Sequence, residues 1–218
     1  VVTEGDDGIQ LIDIANEQVT PLAGVALWQV APKGDLIALA KPAEDGKTEH
    51  ITLVQAPAMT EVGALDAPAG SNLLWSADGS KFYVGTAKSD GKETKGALLR
   101  WDVAGKKALP ELAGHGQVIT AVADAGEVLA TGSGDTKASI ILWDAASGQP
   151  RATMSGHAGP VTCLAFSPDK TRLVSGSTDG TFKLWDARDG RAIATIQSNP
   201  VLAADTTLCP PQAPGSTE

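Results

Sequence analysis

The sequence predicts an all-β fold built from repeated four-stranded antiparallel sheets. Three Trp-Asp pairs, Trp101-Asp102, Trp143-Asp144 and Trp185-Asp186, stand forty-two residues apart, each ending an apolar run. Two Gly-His pairs, Gly114-His115 and Gly156-His157, keep the same spacing. The chain of 218 residues carries 24 Gly and 13 Pro but is only 4% aromatic, a mix suited to short strands joined by tight turns. A repeat of this length is the size of one four-stranded blade of a β-propeller.

In chain order, residues 3–13 follow the pattern of 175–186 with one deletion, which marks 1–19 as a partial blade. The next blade, 20–65, reads as strands at 24–30, 35–40 and 50–55, with Val54-Gln55 where Trp-Asp would stand. Blade 66–112 has strands at 72–76, 81–86 and 96–102 and keeps its Trp-Asp but has no Gly-His. Blade 113–154 runs through 118–122, 128–133, 140–144 and 151–154, and blade 155–197 through 160–168, 172–180, 181–186 and 191–196. Each piece is bounded by Gly, Pro or Asp turn residues.

Residues 113–197 closely resemble WD40 repeats. The resemblance implies a WD40-type propeller whose usual role is binding proteins. It also implies a structural tetrad in each blade: His115, Thr131, Asp135 and Trp143 in one, and His157, Ser175, Asp179 and Trp185 in the next. The same Ser/Thr, His and Asp types are those of a hydrolase triad. They recur once per blade, which a single catalytic centre would not do, so the expectation is structural and non-enzymatic.

Shifting the last repeat by forty-two residues carries Phe166-Ser-Pro168 onto Leu208-Cys-Pro210, so 201–210 reads as an innermost strand. Joined to the partial blade at 1–19, it would close a ring of five blades through the termini, leaving no open sheet edge. The alternative is a segment of a six- to eight-bladed ring, with 198–218 a Pro-rich tail. The chain opens on Val1-Val2 without Met and reads as a segment of something longer.

A net charge of −9 opposes binding to a nucleic-acid backbone or an anionic membrane. The most basic stretch, 88–95, is broken by Asp90 and Glu93. Two cysteines without Cys-x-x-Cys spacing predict neither a disulfide framework nor a zinc site, and no other metal or cofactor is expected. No apolar run approaches the roughly 20 residues of a membrane span, so no direct membrane insertion is expected. A soluble protein, cytoplasmic or periplasmic, is expected, and the Ala/Gly/Asp-rich composition has a bacterial flavour. Gly46-Lys47-Thr48 echoes a phosphate-binding loop, but Lys41 stands where its first glycine belongs.

Function is expected where the period breaks. The loops at 42–50 and 88–96 outgrow the Asp-Gly turn of the last repeat, and each carries Asp-Gly-Lys at its tip. Candidate partner-binding residues are Asp45, Lys47, Asp90 and Lys92; the resemblance adds Gly134 and Thr178. The reading is a non-enzymatic protein-interaction scaffold whose partner carries a basic patch. The alternative is an accessory or sensor domain of a larger bacterial enzyme or membrane complex.

Overall fold

The computed structural model describes residues 2–5, 8–13, 16–89, 93–134 and 139–197. The first sheet has three strands, β1 (Val2–Gly5), β2 (Gly8–Asp13) and β3 (Gln18–Pro21). The other four have four strands each. The second holds β4 (Leu27–Val30), β5 (Leu36–Pro42), β6 (Thr48–Gln55) and β7 (Thr60–Pro68). The third holds β8 (Asn72–Trp75), β9 (Lys81–Ser89), β10 (Thr94–Asp102) and β11 (Lys107–His115). The fourth holds β12 (Ile119–Asp124), β13 (Val128–Ser133), β14 (Ile140–Asp144) and β15 (Pro150–Met154). The fifth holds β16 (Val161–Phe166), β17 (Arg172–Ser177), β18 (Thr181–Asp186) and β19 (Ala192–Gln197). Every strand pairs antiparallel with its neighbour in sequence, so each sheet is a meander of hairpins. The closing strand expected at 201–210 lies outside the described residues, as does all of 198–218.

Strand alternation gives each sheet two apolar faces, and the sheets use them in series. Val2 and Leu11 of the first sheet pack with Ile37, Leu39 and Val54 of the second. The second sheet's Ala38, Ala40, Ile51 and Leu53 meet Leu73, Phe82 and Val84 of the third. Tyr83, Leu98 and Leu112 of the third meet Ile119, Leu129, Ile141 and Trp143 of the fourth. Ala130, Ile140, Leu142 and Met154 of the fourth meet Val161, Leu173 and Trp185 of the fifth. Among the described residues the packing thus forms four serial seams in place of one central core. The first strands of sheets two to five are neighbours in order, β4 to β8, β8 to β12 and β12 to β16.

Close approach at the seams needs small residues facing them. Gly85 on β9 faces the backbone of β12, and a Cβ there would collide with the carbonyl oxygen of Ile119. Gly132 on β13 is its counterpart one sheet later, where a Cβ would lie 2.6 Å from Cγ1 of Val161. Polar bonds stitch the same seams. Asn72 donates to Ile119 O (3.1 Å) and the Thr120 hydroxyl to Val161 O (2.6 Å).

The third seam also holds a buried charge cluster. Lys81 and the Tyr83 hydroxyl both donate to Asp124 Oδ2, at 2.8 and 2.6 Å, and Gly126 N–H donates to its other oxygen. Burial opposes the Asp124 charge, but these donors outweigh it and hold its pKa below the usual carboxylate value. Burial and then the Asp124 charge push the Tyr83 pKa far up, so its hydroxyl remains a donor. Arg100, also buried, donates to Pro110 O within its own sheet and to Ala145 O in the next.

Cys163 on β16 is disulfide-bonded, which the cysteine spacing did not lead one to expect. Cys209, the chain's other cysteine, lies outside the described residues. Among the described residues no helix is long and apolar enough to cross a membrane. Substituting Gly85→Ala will lower stability by about 1–3 kcal/mol, because the atom it strikes is backbone and cannot rotate away. Urea unfolding checks this; an unchanged midpoint would show that the seam is looser than its geometry.

Candidate functional site

Two polar networks sit at corresponding places in the last two seams. In the fifth sheet, Trp185 Nε1–H donates to Ser175 Oγ at 2.8 Å, and Ser175 Oγ lies 2.7 Å from His157 Nε2. The indole occupies a lone pair of the serine oxygen, so the hydroxyl proton turns to Nε2 and the imidazole carries its own proton on Nδ1. That nitrogen lies 3.1 Å from both Asp179 Oδ2 and Thr181 Oγ1. Asp179 is further held by Ala158 N–H at 2.8 Å and by the Thr181 amide and hydroxyl at 2.9 and 2.7 Å.

One period earlier, Trp143 Nε1–H donates to Thr131 Oγ1 at 2.7 Å, and Thr131 Oγ1 lies 2.7 Å from His115 Nε2. His115 Nδ1 meets Ser139 Oγ at 3.1 Å. The carboxylate expected here, Asp135, lies outside the described residues. His115 ends β11 in the third sheet while Thr131 and Trp143 belong to the fourth, so this network ties one sheet to the next. His157 does the same from the link between β15 and β16.

Sequence reasoning missed Ser139 and Thr181. They are forty-two residues apart and both bond the histidine Nδ1, so the period alone carries one onto the other.

The chemistry of these sets differs from that of a hydrolase. Ser175 and Thr131 are fully buried, so substrate has no path to either oxygen. Each oxygen already accepts an indole N–H, which lowers its nucleophilicity where a catalytic serine needs it raised. Burial pushes the His157 pKa down, against the opposing pull of Asp179. The His157–Asp179 contact is therefore a hydrogen bond donated by a neutral imidazole at neutral pH, although its distance alone fits an ion pair. The His–Ser/Thr–Trp sets resemble structural tetrads.

The loop candidates among the described residues, Asp45, Lys47, Gly134 and Thr178, fall along one edge of the sheets. Gly134 N–H donates to Val118 O (2.9 Å) and Thr178 N–H to Pro160 O (3.0 Å), so each clasps a turn to the link entering its own sheet. In the second sheet Ala69 N–H donates to Lys47 O (2.8 Å) and Gly70 N–H to Glu49 Oε1 (2.9 Å), which ties the 43–48 hairpin to the outgoing link. Asp45 spends its carboxylate inside this turn, accepting Lys47 N–H, Thr48 N–H and the Thr48 hydroxyl. These bonds, led by that of the Lys47 amide, hold its pKa low. Lys47 and Thr178 are exposed. Asp90 and Lys92 lie outside the described residues. His50 pairs in the open with Asp66 at 2.7 Å. Among the described residues no group of three His, Cys, Asp or Glu side chains is arranged to hold a metal ion.

Residues 148–186 match the family model described as WD40, "WD domain, G-beta repeat". The matched stretch takes in all of β15–β18, so the sequence repeat is offset by one strand from the sheets, and it encloses the whole His157 network. No curated protein matches the chain.

The neutral form of His157 is the stabilising one, and its pKa in the folded chain is below its ordinary 6.5. Stability is therefore full above that value and is lost as pH falls through it, because the unfolded chain takes up the proton more readily. Melting temperature followed from pH 8 to 5 will fall, and His157→Gln will flatten the fall. An equal slope in both proteins would place the acid sensitivity elsewhere. Ser175→Ala will cost about 1–3 kcal/mol by leaving the indole N–H and the imidazole without their shared partner.

Proposed function

We propose that this chain, which carries a WD40 repeat over residues 148–186, acts as a rigid, non-enzymatic protein-interaction platform. The observation that carries the reading is the loop edge itself. The turns at Gly134 and Thr178 and the hairpin at Lys47 are each clasped by a backbone hydrogen bond to an adjoining link. Loops held this way lose little further entropy on binding, which is the cost that most weakens association through flexible segments. Between them stand exposed side chains, Lys47 and Thr178, that spend no side-chain hydrogen bond on the fold.

WD40 repeat domains commonly serve as protein-interaction scaffolds, and the buried Ser/Thr oxygens favour that role over hydrolysis. The partner surface is a protein face with a basic patch, since the chain carries net charge −9. Charge complementarity of this kind acts mainly on the association rate, so binding should weaken with added salt.

The test is co-purification of partners with the intact chain and with a Thr178→Arg variant, which sets a like charge against the basic patch. The position is exposed, so stability should change by no more than about 0.5 kcal/mol, while partner recovery should fall. Arg188→Ala, in the turn between β18 and β19 at the opposite edge, should leave recovery intact. Equal recovery from all three proteins would remove this edge as the contact surface.

A further inference from the structure

Every seam in this chain is made in the same way, by the far face of one sheet and the near face of the next. In the fourth sheet the far face holds Ala130, Ile140, Leu142 and Met154, all buried. What seals them is the near face of the fifth sheet, where Trp185 stands beside Leu173 and Val161. The same register places on the far face of the fifth sheet are Val174, Phe182, Leu184 and Ile196. Here Val174 is 40% exposed and Ile196 60%. The fifth sheet thus shows water an apolar face of the kind that is covered four times within the chain.

The first sheet holds the complement. Val2 and Leu11 face the second sheet, so alternation turns Ile12 and its cross-strand partner Val19 the other way. Ile12 follows Leu11 as Val54 follows Leu53 and Trp185 follows Leu184. Val54, Trp101, Trp143 and Trp185 are the residues that later sheets press against the sheet before them. Val19, beside Ile12, is 54% exposed. One far face and one near face are therefore open at opposite ends of the same run of sheets.

Charge favours the same pairing. In the third seam Lys81 reaches from the far face of the third sheet to Asp124 of the fourth, at 2.8 Å. Arg172 holds the place of Lys81 in the fifth sheet, opposite Asp186 as Lys81 is opposite Asp102. Arg188 stands exposed at the same edge, in the turn between β18 and β19. The first sheet answers with acid alone: the charged residues within 1–21 are Glu4, Asp6, Asp7, Asp13 and Glu17. Asp13 ends β2 and Glu17 lies in the turn before β3, which is the corresponding edge of that sheet.

We propose that the far face of the fifth sheet docks the near face of the first sheet of a second copy of this chain, head to tail, as a further seam of the kind found within it. Ile12 and Val19 of one copy then cover Val174, Leu184 and Ile196 of the other, with Asp13 and Glu17 beside Arg172 and Arg188. The contact is heterologous, so each junction leaves one far face and one near face open, and copies add until a ring closes. Sheet faces make this contact, and the loop edge stays free for a protein partner.

Sedimentation of the intact chain over rising concentration provides the test, with Val19→Asp and Ile196→Asp as variants. Both side chains are exposed, so each variant should keep the melting temperature of the parent. The parent should pass from monomer to dimer and larger species, and each variant alone should stay monomeric where the parent associates. An equimolar mixture of the variants should give a one-to-one dimer that grows no further, because Val19→Asp keeps its fifth-sheet face and Ile196→Asp its first-sheet face. A parent that is monomeric at every concentration would overturn the proposal. Dimers of Val19→Asp alone would show two fifth-sheet faces meeting each other, and a mixture that stays monomeric would show the two faces to be unmatched; either result rules out the head-to-tail seam.

Discussion

The structure depends on the seam between one sheet and the next. No sheet here has enough apolar area to stand alone: a four-stranded meander with two apolar faces leaves both in water unless neighbours cover them. Stacking in series answers this with one shared layer per junction, from Val2 and Leu11 at one end to Leu173 and Trp185 at the other. Seams of this kind bring backbone close to backbone. Gly85 and Gly132 follow from that demand, since any Cβ at these places would strike the adjoining sheet.

Polar groups at the seams do what apolar packing cannot, which is to set the relative position of two sheets. Apolar contact tolerates sliding, whereas a buried hydrogen bond has a narrow range of distance and angle. The Trp–Ser/Thr–His chains give each histidine both a donor and an acceptor partner, and those histidines come from outside the sheet they pin. The third seam solves the same problem with charge, through Lys81, Tyr83 and Asp124. Among the described residues the junction of the second and third sheets has neither device, and Trp75 Nε1–H reaches Gln29 O across it at 3.4 Å. Trp101 packs there over Gly63, where a Cβ would lie 2.6 Å from its ring, and Val84 takes the place held by Thr131 and Ser175 in later sheets. The eroded repeats thus keep the shape of the pivot and lose its polar bonds.

This distribution frames the functional reading. In the proposed reading, a buried polar chain repeated in successive sheets stabilises a platform, and the positions free to act are at the loop edge, where backbone bonds hold the turns still. Asp45 shows the limit of reading such loops from composition. Its charge looked available for a partner, yet its carboxylate is engaged by the turn that presents Lys47.

By itself the sequence determined the all-β class, the serial repeat and the His–Ser/Thr–Trp members of both networks, because a forty-two-residue period and strand alternation are local properties of the chain. It also pointed to the loops that outgrow the period. Tertiary structure decided which neighbours complete each network. Ser139 and Thr181 were legible only as ordinary turn residues until folding set them against a histidine from outside their own hairpin. The cluster of Lys81, Tyr83 and Asp124 was not legible at all, since Asp124 is more than forty residues from the other two and the three share no motif. The bonded state of Cys163 was likewise not read from the sequence, because spacing along a chain says little about which side chains meet. Periodicity reports what each residue does within its own sheet, and only packing reports what one sheet does to the next.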